Sequence, residues 1–88
     1  MRHEKKAWPE FFEKVLAGEK TFDLRLADWA CAPGDTLLLR EWDPAKKVYT
    51  GREIEKKVGY VGYTKDVNFF PQEDVDKYGY QIISLLDE

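Results

Sequence analysis

The first regular pattern of apolar residues in this chain has the period of a helix. Four apolar side chains recur at a spacing that places them on one helical face: Phe11, Phe12, Val15 and Leu16. Pro9 suits the first helical turn, where its missing N–H costs little, and Gly18 stands where a left-handed C-terminal cap is expected. The pattern therefore predicts a helix over residues 8–17.

Beyond this helix, the pattern changes to alternation and to short continuous apolar runs, both typical of strands. Residues 20–25 alternate, and residues 36–42 contain three consecutive leucines, which indicates that both faces of this strand are covered. The loop 43–47 is predicted to lead back through a hairpin into residues 48–60, with a bulge at Gly51. Residues 80–86 complete the set of predicted strands.

The remaining segments have weaker patterns. Residues 1–7 are expected to form either a short strand or a loose arm, and Pro71 begins a segment predicted to form one helical turn. Phe69 and Phe70 are expected to plug one end of a barrel or to form an exposed patch. We therefore predict an α+β fold in a single domain over residues 1–88. Its sheet is expected to be a small, closed or partly open β-barrel of about five strands, with one N-terminal helix and a short helical insertion.

Composition narrows the classes of function. The chain has 43% hydrophobic and 35% charged residues and a formal net charge of −3, a mixture typical of a globular domain. The acidic balance argues against a general duplex-DNA binder, whose domain is usually basic. The single Cys31 cannot form an internal disulfide and is expected to be a small buried hydrophobe in a reducing compartment. With no long apolar run and no charged-then-apolar leader, we expect a cytoplasmic protein without a membrane segment, monomeric by default.

Residues 20–25 concentrate the polar chemistry of the chain. In a strand, alternation would point Thr21, Asp23 and Arg25 to one side, away from the apolar side chains. Taken alone, these charges describe a solvated face with an internal ion pair, which contributes little to stability. An arginine held by a neighbouring carboxylate also presents a fixed fork to a phosphate or a base edge, and Lys20 supplies a mobile charge.

The same segment resembles a family motif. The run Gly18-x-Lys20-x-x-Asp23-x-Arg25 is similar to G-x-K-x-x-E-x-R of the activating signal cointegrator homology (ASCH) domains in the PUA-like superfamily, with aspartate in place of glutamate. Over residues 3–61 the likeness extends to a small ASCH-like group of phages and bacteria, through GEKTFDLR, Pro33-Gly34-Asp35-Thr36-Leu37, Arg40-Glu41-Trp42 and Tyr49-Thr50-Gly51-Arg52. The chain departs from that group at Ala27-Asp28-Trp29, where the group carries Asn-Asp-Arg.

This resemblance implies a PUA-like β-barrel beside one or two helices, with a cleft between them that binds RNA or a nucleotide-like ligand. The expected binding residues are Lys20, Thr21, Asp23, Arg25, Tyr49 and Arg52. Lys20 and Arg25 would neutralise a phosphate or pair with a base edge, and Asp23 would orient Arg25. Tyr49 either stacks an unstacked base or packs within the hairpin, and Arg52 is either part of the cleft or a solvated charge.

Two other functions stay open. Some ASCH proteins are small amidohydrolases acting on acetylated cytidine, but the position of their threonine nucleophile is Asp23 here, which argues against catalysis. Alternatively, Phe69, Phe70 and the acidic carboxyl end form a protein-interaction module. No cofactor is expected, because the chain has no glycine-rich phosphate loop, and a single His3 with a single Cys31 makes no zinc site of ordinary type.

Overall fold

The computed structural model of this protein describes residues 1–87, which form one sheet, two helices and long irregular connections. In chain order the elements are β1 (Arg2–Ala7), α1 (Pro9–Leu16), β2 (Thr36–Asp43), β3 (Val48–Lys57), a 3₁₀ turn (Thr64–Asp66) and α2 (Gln72–Tyr78). The predictions of the N-terminal helix, of the hairpin and of a helical turn after Pro71 are confirmed. The N-terminal segment is a strand rather than a loose arm.

The sheet has the order β1-β2-β3, with β1 parallel and β3 antiparallel to β2. The parallel register aligns Arg2 with Thr36 and Ala7 with Glu41. The antiparallel ladder shifts register between Arg40 and Trp42, on the stretch that faces Gly51, whose φ is 98°. The predicted bulge at Gly51 is therefore confirmed, since a glycine adopts this backbone conformation without steric cost.

The core lies between α1 and the sheet. Its buried members come from β1, α1 and β2: Ala7, Phe12, Val15, Leu37 and Leu39. Three half-buried side chains pack against them: Trp29, Ile54 and Val58. Leu38 is also buried, at 3% exposure, although alternation places it on the opposite face of the sheet. The prediction that both faces of β2 are covered is therefore confirmed.

Charged side chains rather than a second layer of structure surround Leu38. In the register it lies between Glu4 of β1 and Glu55 of β3. Glu55 is paired with Arg2 at 2.8 Å, and Arg40 lies 3.8 Å from Glu4. On this face of the sheet, partly exposed ion pairs therefore flank one buried leucine.

The predicted barrel is wrong. Within residues 1–87 the sheet has three strands and stays open, with β1 and β3 as its edges. Residues 80–86, predicted as a strand, are irregular, and Ile83 among them is 65% exposed. Because this segment forms no strand, it does not close the sheet within residues 1–87. Phe69 and Phe70 are exposed, with ring centroids 4.6 Å apart, and plug no barrel.

The predicted strand over residues 20–25 is also irregular, and the end of α1 explains why. The Gly18 N–H donates to the Val15 carbonyl at 3.1 Å, and the Glu19 N–H donates to the Lys14 carbonyl at 3.0 Å. This pair of bonds is the Schellman cap. It turns the chain back across the end of the helix and uses backbone donors that a strand would need.

Gly18 adopts a φ of +78°, so we expect Gly18→Ala to lower the free energy of unfolding by about 1–2 kcal/mol, the cost of a left-handed backbone for a residue with a Cβ. Gly59→Ala is the matched control, because Gly59 has no such φ and an added Cβ there meets no atom within 4 Å. Urea unfolding of both variants compares them. Equal stabilities would show that the cap does not need glycine.

Asp35, at the start of β2, fixes the N-terminal strand. Its carboxylate accepts hydrogen bonds from His3 at 2.9 Å and from the Met1 amine at 3.0 Å. These bonds, with a further one from the Ala32 N–H, hold the pKa of Asp35 well below its usual range.

Neither helix within residues 1–87 has the length and apolar character needed to span a membrane.

Candidate functional site

Lys20, Asp23 and Arg25 come together although their segment is irregular. Arg25 Nε donates to Asp23 Oδ2 at 2.6 Å, and Lys20 Nζ lies 3.9 Å from Asp23 Oδ1. The exposed fractions of these side chains are 15% for Lys20, 23% for Asp23 and 28% for Arg25. The carboxylate therefore lies between two cations in a partly desolvated position, where charge-assisted hydrogen bonds are strong.

Backbone carbonyls hold both cations in place. Arg25 Nη2 donates to the Lys6 carbonyl at 2.8 Å, which ties the segment to the end of β1. Lys20 Nζ donates to the Phe22 carbonyl at 3.0 Å. Nη1 of Arg25 has no hydrogen-bond partner within residues 1–87, so this half of the guanidinium is available to a ligand.

These three residues border a half-open cavity of about 410 Å³ between α1, the end of β1 and residues 20–25. Its lining also includes Lys6 and three aromatic residues, Trp8, Phe11 and Phe22. The remaining lining residues are aliphatic: Ala7, Val15, Leu24 and Leu39. A cavity of this size falls within the range of roughly 300–1,000 Å³ found for small-molecule sites.

The cavity is cationic and aromatic. Its lining carries the charged groups of Lys20 and Arg25 against one carboxylate (Asp23), a local charge of +1 in a chain whose net charge is −3, whereas the Lys6 ammonium lies 3.8 Å from the ring centroid of Trp42, outside the lining. Lys20 Nζ lies 4.8 Å from the ring centroid of Phe22 and 5.7 Å from that of Phe11. The site therefore combines anion-binding groups with apolar ring surfaces.

Three predicted binding residues lie outside this cavity, and Thr21 and Tyr49 are two of them. Thr21 is not part of the lining, and its backbone N–H donates to Ser84 Oγ at 3.1 Å. Tyr49 packs edge-on against Trp42, with centroids 5.0 Å apart, and the Arg40 guanidinium lies 3.9 Å from the Tyr49 ring centroid. The hairpin-packing alternative for Tyr49 is the one found in the structure.

Arg52, the last predicted binding residue, belongs to a separate cluster. Its Nε and Nη2 donate to Glu41 Oε1 and Oε2 at 3.0 and 2.9 Å. Nη2 also pairs with Glu13 of α1, and the guanidinium lies 5.0 Å from the ring centroid of the buried Phe12. Arg52 therefore fastens β3 to β2 and to the helix, and it does not line the cavity.

The pKa values of this cluster follow from its hydrogen bonds. Donors from Arg52 and then from Thr50, whose Oγ1 lies 2.7 Å from Glu41 Oε1, lower the pKa of Glu41 against the opposing effect of burial. The carboxylates of Glu41 and Glu13 raise the pKa of Arg52. Both groups are therefore charged at neutral pH, and their role is structural.

Sequence reasoning missed Lys6, Trp8 and Phe11 as cavity residues. Phe11 shares the helical pattern of the core, but it is 52% exposed and faces the cavity, whereas its neighbour Phe12 is 1% exposed. The apolar face of α1 is wider than the sheet can cover. This extra width was the sequence signal that one of its aromatic residues would lie outside the core. Nothing in the polar N-terminal segment pointed to Lys6.

Comparisons with known proteins give a family and a phage relative. Residues 2–83 match the family described as "Domain of unknown function (DUF3850)". A protein of Escherichia phage P2, described as "Uncharacterized 12.9 kDa protein in GpA 3'region", is 39% identical over 56 residues, which are 64% of this chain and 50% of the phage protein. The chain thus matches half the length of that curated relative. No solved structure matches the chain.

Proposed function

The chain belongs to the DUF3850 family, and we propose that in this member the cavity beside α1 binds a single nucleotide, either free or within single-stranded RNA. The observation that carries this proposal is the convergence of Lys20, Asp23 and Arg25 on a cavity with aromatic walls. The cavity is large enough for one base and its sugar, but not for a duplex.

The cations would bind the phosphate. Arg25 is fixed by Asp23 and by the Lys6 carbonyl, so its free Nη1 is oriented before a ligand arrives. A pre-ordered donor loses little conformational entropy on binding. Lys20 adds a second cation to the same lining, and an ammonium serves a phosphate as a point charge.

The aromatic residues would hold the base. Phe11, Phe22 and Trp8 line the apolar part of the cavity, and stacking of an unpaired base on an aromatic ring contributes about 1–3 kcal/mol. The likeness of residues 18–25 to the ASCH motif, which implies a ligand cleft at these positions, supports the same proposal. Membership of the chain in the ASCH group is part of the proposal.

The lining favours binding over acyl hydrolysis. Within residues 1–87, none of the cavity-lining residues carries a hydroxyl or a thiol, so the site offers no side-chain nucleophile of the usual kind. Asp23 accepts a hydrogen bond from Arg25 and orients the guanidinium. We therefore assign Asp23 a positioning role.

Fluorescence anisotropy with labelled random single-stranded RNA, and calorimetry with nucleoside monophosphates, test the proposal at low salt. Arg25→Ala is expected to weaken binding about ten- to hundredfold, since a hydrogen bond to a charged group contributes about 1.5–3 kcal/mol. The matched control is Arg2→Ala. Arg2 pairs with Glu55 on the sheet and does not line the cavity, so removing it makes the same change in net charge.

Two outcomes would count against this function. The wild type could bind neither RNA nor nucleotides. Arg2→Ala could weaken binding as much as Arg25→Ala, which would indicate only long-range charge. If Arg25→Ala binds less and its circular dichroism also changes, the loss could come from misfolding. Phe11→Ala then provides a second test, because the Phe11 ring is half exposed and its removal should also weaken binding.

A further inference from the structure

His3, Cys31 and Asp35 converge at the edge of the sheet away from the proposed nucleotide cavity. One donor atom of each residue lies within 4.8 Å of the other two. His3 Nε2 and Asp35 Oδ2 are 2.9 Å apart, and all three side chains are partly buried. The residues come from β1 and from the connection before β2, so the group exists only in the folded chain.

The surrounding structure holds these donors in place. The His3 ring packs against Trp29 at an interplanar angle of 60°, with ring centroids 5.0 Å apart. The Asp35 N–H donates to the Ala32 carbonyl, and the Asp35 carbonyl accepts from the Val58 N–H at 2.8 Å. The Asp35 side chain is fixed further by the Ala32 N–H at 3.1 Å. The ends of the loop that carries Cys31 are therefore anchored on both sides of the cluster.

We propose that His3, Cys31 and Asp35 form a binding site for one divalent transition-metal ion of the zinc class. A sulfur, a nitrogen and an oxygen donor are the ligand types that Zn²⁺ takes in proteins, and donors on one tetrahedral zinc lie roughly 3.3–3.7 Å apart. The His3–Asp35 separation is 2.9 Å, and no two of the three donor atoms are more than 4.8 Å apart, so these separations bracket the values expected for zinc. This inference is independent of the proposed nucleotide site.

Binding would replace protons with the metal. The Cys31 thiol releases its proton to solvent, and the neutral imidazole binds through Nε2, so the proton on Nε2 moves to Nδ1 or, from a protonated ring, to solvent. Thiolate and carboxylate together balance the charge of a divalent ion. The fourth coordination position is open to water. The ion would join β1 to the segment before β2, so metal should stabilise the fold.

Titration of Co²⁺ into the reduced, untagged protein tests the site, because a cobalt–thiolate bond gives a charge-transfer absorption that other surface ligands do not. We expect one equivalent to bind with this absorption and Zn²⁺ to displace it. Zn²⁺ should also raise the melting temperature. Cys31→Ala should abolish the absorption and weaken binding by more than ~100-fold, beyond the loss seen when a ligand merely loses a supporting partner.

Asp28→Ala is the matched control, since Asp28 is an exposed carboxylate in the same loop and lies outside the cluster. It should bind Co²⁺ like the wild type. His3→Gln gives a second test, with circular dichroism to verify that the chain is folded. The proposal is overturned if the wild type shows no thiolate absorption, or if folded Cys31→Ala or His3→Gln binds cobalt with the affinity of the wild type.

Discussion

Phe12→Ala is expected to lower the free energy of unfolding by about 3–5 kcal/mol, the range for truncation of a buried phenylalanine. Phe12 is 1% exposed and is the largest side chain buried to this degree within residues 1–87. A domain of this size has a total stability of roughly 4–13 kcal/mol. The variant therefore loses a large share of its stability, and its cavity also removes the surface beneath Arg52.

Phe11→Ala is the matched control, because it removes the same ring from the adjacent position of α1. Phe11 is 52% exposed and lines the cavity. The free energy of unfolding of this variant should therefore lie within about 1 kcal/mol of the wild-type value, while its affinity for nucleotide falls. Urea unfolding and the anisotropy assay separate the two effects. Similar losses of stability in both variants would contradict the assignment of one ring to the core and the other to the cavity.

The second large effect is expected at Arg52. Arg52→Gln leaves the carboxylate of Glu41, which is 5% exposed, without its two charged hydrogen bonds, and a buried polar group left in this state costs about 1–3 kcal/mol, more if it is charged. Urea unfolding at pH 7 measures the loss. The double variant with Glu41→Gln should recover much of it, because the buried charge is then gone.

The stability difference between the wild type and Arg52→Gln should also depend on pH. In the wild type the pKa of Glu41 is lowered from 4.5, so its stabilising contribution is complete above that pH and disappears as the pH falls through the lower, folded-state pKa. In Arg52→Gln the largest cause of this lowering is gone while the Thr50 hydrogen bond remains, so the pKa of Glu41 moves back toward its ordinary value and the variant loses less stability as the pH falls. The stability gap between the two proteins should narrow from pH 7 to pH 4. A constant gap would show that Glu41 is not the cause.

Local patterns were sufficient wherever the stabilising contacts are local. Helix α1 follows from apolar residues at helical spacing, and its end follows from Gly18, because the capping bonds span only residues 14–19. The hairpin between β2 and β3 follows from a short polar loop between two strand patterns. The burial of Leu37, Leu38 and Leu39 on both faces followed from their run alone.

The prediction of a barrel was wrong because an alternating pattern does not specify which strand a segment pairs with. Residues 20–25 alternate like a strand, but the cap of α1 and bonds from Lys20 and Arg25 to backbone carbonyls hold them in an irregular path. Residues 80–86 are apolar like a buried strand, yet they remain unpaired within the described part of the chain. Propensity toward extended structure becomes a sheet only where a neighbouring edge accepts the backbone hydrogen bonds.

The sequence by itself determined the helix, its cap, the hairpin and the concentration of charge at Lys20, Asp23 and Arg25. Only the tertiary structure decided which of the predicted site residues share a cavity. Arg52 does not line it and pairs with Glu41, and Tyr49 does not line it and packs against Trp42. It also brought His3 to Asp35, 32 positions apart in the chain. The physical reason for the contact between His3 and Asp35 is the parallel pairing of β1 with β2, a non-local contact that no short-range periodicity encodes.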